Sequence, residues 1–368
     1  MTAPATGNPV ILSGTPYERG AQQAKARPDA GAQVRQAVHD RIAQAAGGRI
    51  GLPRARVMLA DMIAYAAEHA PDSLAEARGI ADGFAIPEDV LLEYLHVPVL
   101  LDVARGGEGH DDGCSAWAAP GGGGGAWLAK NRDYGGNHLA IQRVFRHEGG
   151  DLKAGPLLCV GSLGAPGAFS SGMNAHGLAL ADTQVATSDH GPGLSRYFLM
   201  TELLRRCRSV AEALAYVGSV RHAGGGCLIL GDASGRVAAA ELGWQNQAVE
   251  LADTGGWVRR TNHHLAPPLA GRLIEPAAGP AGANSRGRLA YLTASLAAAV
   301  PLAEPEAFAQ SLMASHDSDA APGGIGLCQH GDDGLARTIS SVLYDTAARR
   351  LTFQDGLPCQ GPRATYAL

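Results

Sequence analysis

The sequence predicts an α+β fold in which layered sheets pack beneath helices. Three observations carry this. Residues 15–106 read as mostly helical, the pattern turns strand-rich from residue 114, and pairs of helices interrupt the strands near 194–220 and 286–314. With 368 residues, 46% of them hydrophobic, the chain can bury a sizeable core.

In the helical stretch, residues 54–70 carry Val57, Leu59, Ile63 and Ala66-Ala67 at helical spacing. Residues 87–104 open on Pro87-Glu88-Asp89, a good first turn, and then become strongly apolar. Residues 105–113 are polar and glycine-rich, which suits a surface linker and a cleavable connection equally. Strands are predicted near 115–119, 126–131, 139–147, 157–161, 167–173 and 178–182. Helices follow near 194–206 and 209–220, and strands return near 226–231, 236–241, 247–252 and 257–261. Helices near 286–299 and 305–314 and strands near 338–344 and 350–354 complete the chain.

Bulk properties exclude several classes. A net charge of −5 argues against nucleic acid or an anionic membrane as main partner. No window approaches eighteen uninterrupted apolar residues. Residues 1–9 have neither a basic nor an apolar leader segment, and the six cysteines (114, 159, 207, 227, 328, 359) lack CxxC spacing; both suit a cytoplasmic protein with reduced thiols. No nucleotide loop or dinucleotide fingerprint is present. His263, His264, His316, Cys328 and His330 fit no zinc spacing, so the expectation is packing residues, no metal and no cofactor.

Chemistry concentrates at Asp112-Gly113-Cys114-Ser115. The strands 115–119 and 126–130, joined by Pro120 and five glycines, form a hairpin that brings Cys114 close to Asn131 and Asp133. A cysteine starting a strand, preceded by glycine and faced by a carboxylate, suits an N-terminal nucleophile exposed by cutting at Gly113–Cys114. A thiol on a new N-terminus has its own base, because an α-amine titrates at about 8. Asp133 would orient that ammonium. Arg132 lies on the opposite strand face and reads as structural.

Further segments carry a family resemblance. Gly14-Thr15-Pro16-Tyr17-Glu18-Arg19-Gly20, Asp112-Gly113-Cys114-Ser115, Lys130-Asn131-Arg132-Asp133 and Gly172-Met173-Asn174-Ala175-His176-Gly177-Leu178 occur in order. Arg260-Thr261-Asn262-His263, Asn284-Ser285-Arg286-Gly287-Arg288, Leu327-Cys328-Gln329-His330, Thr338 and Gly356-Leu357-Pro358-Cys359 follow. Together they resemble the acyl-CoA:6-aminopenicillanic acid acyltransferase family of N-terminal nucleophile hydrolases and, more distantly, the choloylglycine hydrolases.

The resemblance implies an αββα four-layer sandwich preceded by a mostly helical segment. Residues 1–113 would form the N-terminal fragment and 114–368 the catalytic fragment, the two staying together as one composite domain. It implies a catalytic set of Cys114, Asp133, Asn262 and Arg288, with Asn262 helping to build an oxyanion hole. Arg286 competes with Arg288 for the place beside the site. Substrate-binding candidates are Lys130, Asn131, Arg286 and His263. Lys130 stands where choloylglycine hydrolases carry arginine, and is a point charge in place of a planar fork.

The expected function is a self-processing cysteine amidohydrolase or acyltransferase. It would take a small N-acyl amide or acyl thioester as donor and water or an amine as acceptor. Its partners would be those small molecules and its own cleaved N-terminal fragment, and a homodimer of such pairs is left open. Two alternatives are an unprocessed enzyme pairing Cys114 with His263 or His330, and a catalytically silent ligand-binding relative.

Overall fold

The computed structural model describes residues 8–46, 51–105, 113–121, 123–134, 138–253, 256–274, 280–300, 302–320, 323–331 and 336–368. Most of the 105–113 linker, Asp112 included, lies outside them. The chain opens with β1 (Val10–Ser13) and five helices: α1 (Pro16–Ala26), α2 (Gly31–Ala46), α3 (Pro53–His69), α4 (Pro71–Phe84) and α5 (Glu88–Arg105). Six strands follow: β2 (Gly113–Pro120), β3 (Ala126–Tyr134), β4 (Gln142–Glu148), β5 (Leu157–Ser162), β6 (Ser171–Asn174) and β7 (Ala179–Thr183). Helices α6 (Arg196–Arg206) and α7 (Val210–Ser219) precede β8 (Cys227–Gly231), β9 (Val237–Leu242), β10 (Gln247–Leu251) and β11 (Val258–Arg260). Then come α8 (Pro267–Ala270), α9 (Pro280–Ala299), α10 (Pro305–Met313), β12 (Arg337–Asp345), β13 (Arg350–Asp355) and β14 (Ala364–Ala367).

Among the described residues, eight strands form one sheet in the order β1-β4-β5-β6-β7-β8-β9-β10 and six form a second, β11-β2-β3-β12-β13-β14. Period-2 alternation sorts their side chains into layers. Along β2, Ala116 and Ala118 face the first sheet while Trp117 and Ala119 face outward. Between the sheets, Leu128, Val342 and Tyr344 meet Leu158, Val160, Met173 and Ile229. On the outer face of the eight-stranded sheet, Phe145, Leu157 and Leu228 pack against helices of the N-terminal segment and α6 and α7. On the other outer face, Trp117 and Leu343 pack against Leu292 and Leu296 of α9 and Leu312 of α10. These are the four layers of an αββα sandwich.

The Gly14–Gly20 motif explains how the N-terminal segment docks. Thr15 caps α1 and forms a capping box with Glu18. Arg19 is buried and makes a bidentate pair with Asp151, at 2.7 and 2.8 Å. Gly20 and Gly79 let α1 and α4 touch backbone to backbone: a Cβ on Gly20 would lie 2.1 Å from the Glu76 carbonyl oxygen.

Differences from the sequence reading lie mainly at edges. The four-residue strands β1 and β14 escape it, being too short and too exposed to alternate clearly. Helix α3 turns a different face inward. Ala55, Met62 and Ala66 are buried, whereas Val57 is 61% exposed.

Candidate active site

Strands β2 and β3 pair with Gly113 opposite Asp133 and Cys114 opposite Arg132. Cys114 shares the face of Ala116 and Ala118, so its thiol points between the sheets into a cavity. Gly113 and Asp133 share the other face. A Cβ on Gly113 would fall 2.9 Å from Asp133 Oδ2 and 3.1 Å from its Cβ, so the glycine leaves room for the carboxylate beside the Gly113–Cys114 bond. Thr338 Oγ1 donates to Asp133 Oδ1 at 2.6 Å.

The Cys114 backbone is gripped at both ends. Its N–H donates to Asn262 Oδ1 at 3.0 Å, and its carbonyl accepts from Arg288 Nη1 at 2.7 Å. Arg288 also donates to Ser115 Oγ at 2.8 Å, Asn262 Oδ1 at 2.8 Å and Asn284 Oδ1 at 2.7 Å. The last of these is an i, i+4 contact along α9. Ser285, on the same helix, accepts the Asn262 N–H at 2.8 Å, and its carbonyl accepts from Thr261 Oγ1 at 2.9 Å. The Thr-Asn-His segment after β11 is thus bound to the start of α9.

The cavity has a volume of about 40 Å³. At its base, Lys130 Nζ pairs with Asp182 Oδ1 and donates to the Ser170 carbonyl at 3.2 Å. Arg196 Nε donates to Asp182 Oδ2 at 2.6 Å, and its Nη2 to Gln184 Oε1 at 2.6 Å. Burial pushes the Asp182 carboxyl up, but Lys130 and Arg196 outweigh it and hold the group below the usual carboxylate range. Burial raises the Cys114 thiol; Lys130 pulls it down, and Asp182 and Asp133 add to the rise. In the continuous chain the thiol is therefore neutral at neutral pH. Tyr94 and Pro98 of α5, with Phe169 and Tyr197, close the cavity from the helical side.

Arg132 also lines this cavity, correcting its reading as structural. It does lie on the face opposite Asp133, but that is the face of the Cys114 thiol. Its guanidinium donates to Ser162 Oγ at 3.1 Å, Gln142 Oε1 at 3.3 Å and His138 Nδ1 at 3.2 Å. Arginine cannot accept, so His138 carries its proton on Nε2, facing the Tyr94 hydroxyl at 3.2 Å.

Other expected residues take different places. Asn131 is corrected: it points to the outer face, where its amide holds the carbonyls of Met313 at 2.8 Å and Leu327 at 2.9 Å, and it does not line the cavity. Arg288, not Arg286, reaches the cysteine; Arg286 is exposed. His263 sits behind Asn262, hydrogen-bonded to Ser285 Oγ at 2.8 Å, and burial followed by Arg286 and Arg288 lowers it to about 4. Neither His263 nor His330 lines the Cys114 cavity. Asn262 differs in detail from a free oxyanion donor, because its Nδ2 donates to the Gln184 carbonyl at 2.9 Å and its Oδ1 serves Cys114 and Arg288.

Sequence reasoning missed Asp182, Gln184 and Arg196. The available signal was the carboxylate in the apolar run Ala179-Leu180-Ala181-Asp182, since a buried charge requires a partner. It also missed that His316, Cys328, His330 and Cys359 converge, with all ligand atoms within 4.8 Å of one another.

The family model described as acyl-coenzyme A:6-aminopenicillanic acid acyl-transferase matches residues 121–359. No curated protein matches the chain. Among solved structures, penicillin V acylase from Agrobacterium tumefaciens is similar at 17% identity over 66% of this chain and 83% of its own, with a TM-score of 0.42. A mutant conjugated bile acid hydrolase from Clostridium perfringens is similar at 12% identity over 69% of this chain and 97% of its own, with a TM-score of 0.43.

Proposed function

The chain belongs to the acyl-coenzyme A:6-aminopenicillanic acid acyl-transferase family, and from that premise we propose a self-processing N-terminal cysteine enzyme that moves or hydrolyses an acyl group. The observation that carries this reading is the grip on the Cys114 nitrogen. Asn262 Oδ1 accepts its N–H at 3.0 Å, and Asp133 packs against Gly113 on the other side of the same peptide bond.

In processing, Cys114 Sγ attacks the Gly113 carbonyl carbon. The C–N bond breaks, the nitrogen takes a proton and becomes the α-amine, and a thioester joins Gly113 to Sγ. Water hydrolyses that thioester to a Gly113 carboxylate and a free thiol. In turnover the α-amine takes the thiol proton as Sγ attacks the donor carbonyl, and returns it to the leaving amine or thiol. Water or an amine then resolves the acyl-cysteine. The second amide proton of Asn262 is the candidate oxyanion donor.

Arg132 suggests the substrate's charge. Among the described residues its guanidinium hydrogen-bonds to neutral acceptors only, and no carboxylate forms an ion pair with it. We assign it to an anionic end, a carboxylate, on the donor or the acceptor. A 40 Å³ cavity holds about one water, whose share of liquid volume is about 30 Å³. Substrate entry therefore requires Tyr94 and Pro98 of α5 to shift after cleavage.

Intact-mass and N-terminal sequencing test the reading. The expected products are fragments 1–113 and 114–368, with Cys114→Ala left whole, and an acyl adduct on Cys114 after exposure to donor. An active enzyme with a continuous chain would overturn it.

A further inference from the structure

We propose that His316, Cys328, His330 and Cys359 form a structural zinc site at the end of the six-stranded sheet. The residues come from three loops: His316 follows α10, Cys328 and His330 precede β12, and Cys359 follows β13. Cys328 Sγ and Cys359 Sγ lie 3.5 Å apart. His330 Nε2 lies 3.7 Å from Cys328 Sγ, 3.6 Å from Cys359 Sγ and 3.2 Å from His316 Nε2.

These separations are the edges of a metal-sized tetrahedron. With Zn–S of about 2.3 Å and Zn–N of about 2.0–2.1 Å, tetrahedral geometry gives edges of about 3.8 Å for S–S, 3.6 Å for S–N and 3.3 Å for N–N. The protein matches each to within about 0.3 Å. A disulfide would require the sulfurs at about 2.05 Å. Two thiolates and two imidazoles are a donor set that selects zinc over hard cations.

The surroundings fix the ligands independently of an ion. The Cys328 N–H donates to the Ser315 carbonyl at 2.9 Å, tying the residue before His316 to the Cys328 loop. The His316 N–H donates to Asp319 Oδ2 at 2.8 Å. Spacing alone hides the site, because Cys328-Gln329-His330 supplies half a ligand set and its complement lies 12 residues upstream of Cys328 and 31 downstream.

The ion would anchor Gln329, which lies between two ligands. The Gln329 carbonyl accepts from the Thr338 N–H at 2.8 Å, its own N–H donates to Thr338 Oγ1 at 2.9 Å, and that hydroxyl donates to Asp133. Its side-chain oxygen accepts from Asn284 Nδ2 at 2.8 Å, and Asn284 accepts from Arg288. Two hydrogen-bond chains thus run from this loop to Asp133 and to the Cys114 carbonyl.

The test uses the full chain carrying Cys114→Ala, so that its outcome is independent of processing and turnover. Metal analysis of this protein, expressed with zinc and purified without chelator, should find about one zinc per chain. Cobalt exchanged into the site should give the intense visible d–d bands and thiolate charge-transfer absorption of tetrahedral S₂N₂ coordination. Cys359→Ser and His316→Ala should abolish both, while Cys159→Ser, at a buried cysteine outside the cluster, should keep them. Absence of zinc together with a featureless or octahedral cobalt spectrum would overturn the proposal. So would a Cys328–Cys359 disulfide found under reducing conditions. If the ligand variants fail to fold, the cobalt spectrum of the Cys114→Ala protein alone decides.

Discussion

Arg288 donates to the Cys114 carbonyl at 2.7 Å while its other amino group holds, at 2.8 Å, the Asn262 oxygen that accepts the Cys114 N–H. One side chain of α9 therefore fixes both sides of the residue proposed as nucleophile.

Arg288→Ala should be costly to the fold and to processing. It removes a buried donor from the Cys114 carbonyl, Asn262 and Asn284 at once. Each acceptor left unsatisfied costs about 1–3 kcal/mol. Denaturant titration should show reduced stability, and Arg288→Lys should restore only part of it, because one ammonium does not reproduce the fork. Unchanged stability in Arg288→Ala would refute this account.

Gly113→Ala should slow cleavage with little change to the rest of the fold. The added Cβ meets Asp133 at 2.9–3.1 Å and displaces the carboxylate. Overpacking of this kind costs about 1–3 kcal/mol, roughly 5- to 150-fold if expressed in the barrier. Time-resolved gels of freshly synthesised protein report the rate, and wild-type kinetics would count against the crowding.

Asn262→Ala should lower kcat by roughly 10²–10³-fold, the usual cost of one oxyanion donor. Because Asn262 also holds the Cys114 nitrogen, processing should slow as well. A variant that processes and turns over at wild-type rates removes Asn262 from the mechanism.

Arg132→Gln should raise KM for a carboxylate-bearing substrate far more than for its neutral amide, with cleavage intact. Equal effects on both substrates would assign Arg132 a packing role.

Stability should fall as the pH drops below about 6.5. Burial lowers His96 to about 4; burial and then Arg19 lower His147 to about 3. His263, lowered to about 4, and the buried His138 act in the same sense. The unfolded chain takes up protons near 6.5 that the folded chain refuses, so each such histidine removes on the order of 1.4 kcal/mol per pH unit until its folded pKa is reached. Asp355, raised to about 6 by burial, and Glu76, also raised mainly by burial, oppose this but are fewer. The carboxyl of Asp182, held low, adds a further loss only below the usual carboxylate range. Denaturation midpoints at pH 7.5, 6 and 5 should decrease in that order; a flat series would contradict the buried neutral histidines.

What the sequence revealed and what it hid follow the reach of the interactions. The hairpin of β2 and β3 was legible because its register depends on local alternation and one glycine turn. Cys114, Asp133 and Asn262 stood out through motif order. Arg132 was misjudged because strand alternation separates two faces without saying which covers the cavity. Asp182 and Arg196 belong to the other sheet and its helical layer, so their meeting with Lys130 depends on sheet-on-sheet packing. Asn131 looked like a site residue by adjacency, yet the pleat sends it to the opposite side.

Strand β1 lies in the eight-stranded sheet as the parallel neighbour of β4, and Arg19 reaches across to Asp151. These ties cross the proposed scission point. Before scission, loop closure brings the partners together; afterwards the same contacts join two separate molecules. A nicked protein would thus be easy to make once and hard to remake: dilution after denaturation would scatter its halves, and refolding yield would become concentration-dependent. Its durability in use would then be governed by the rate of first opening, because no chain connection remains to guide the return.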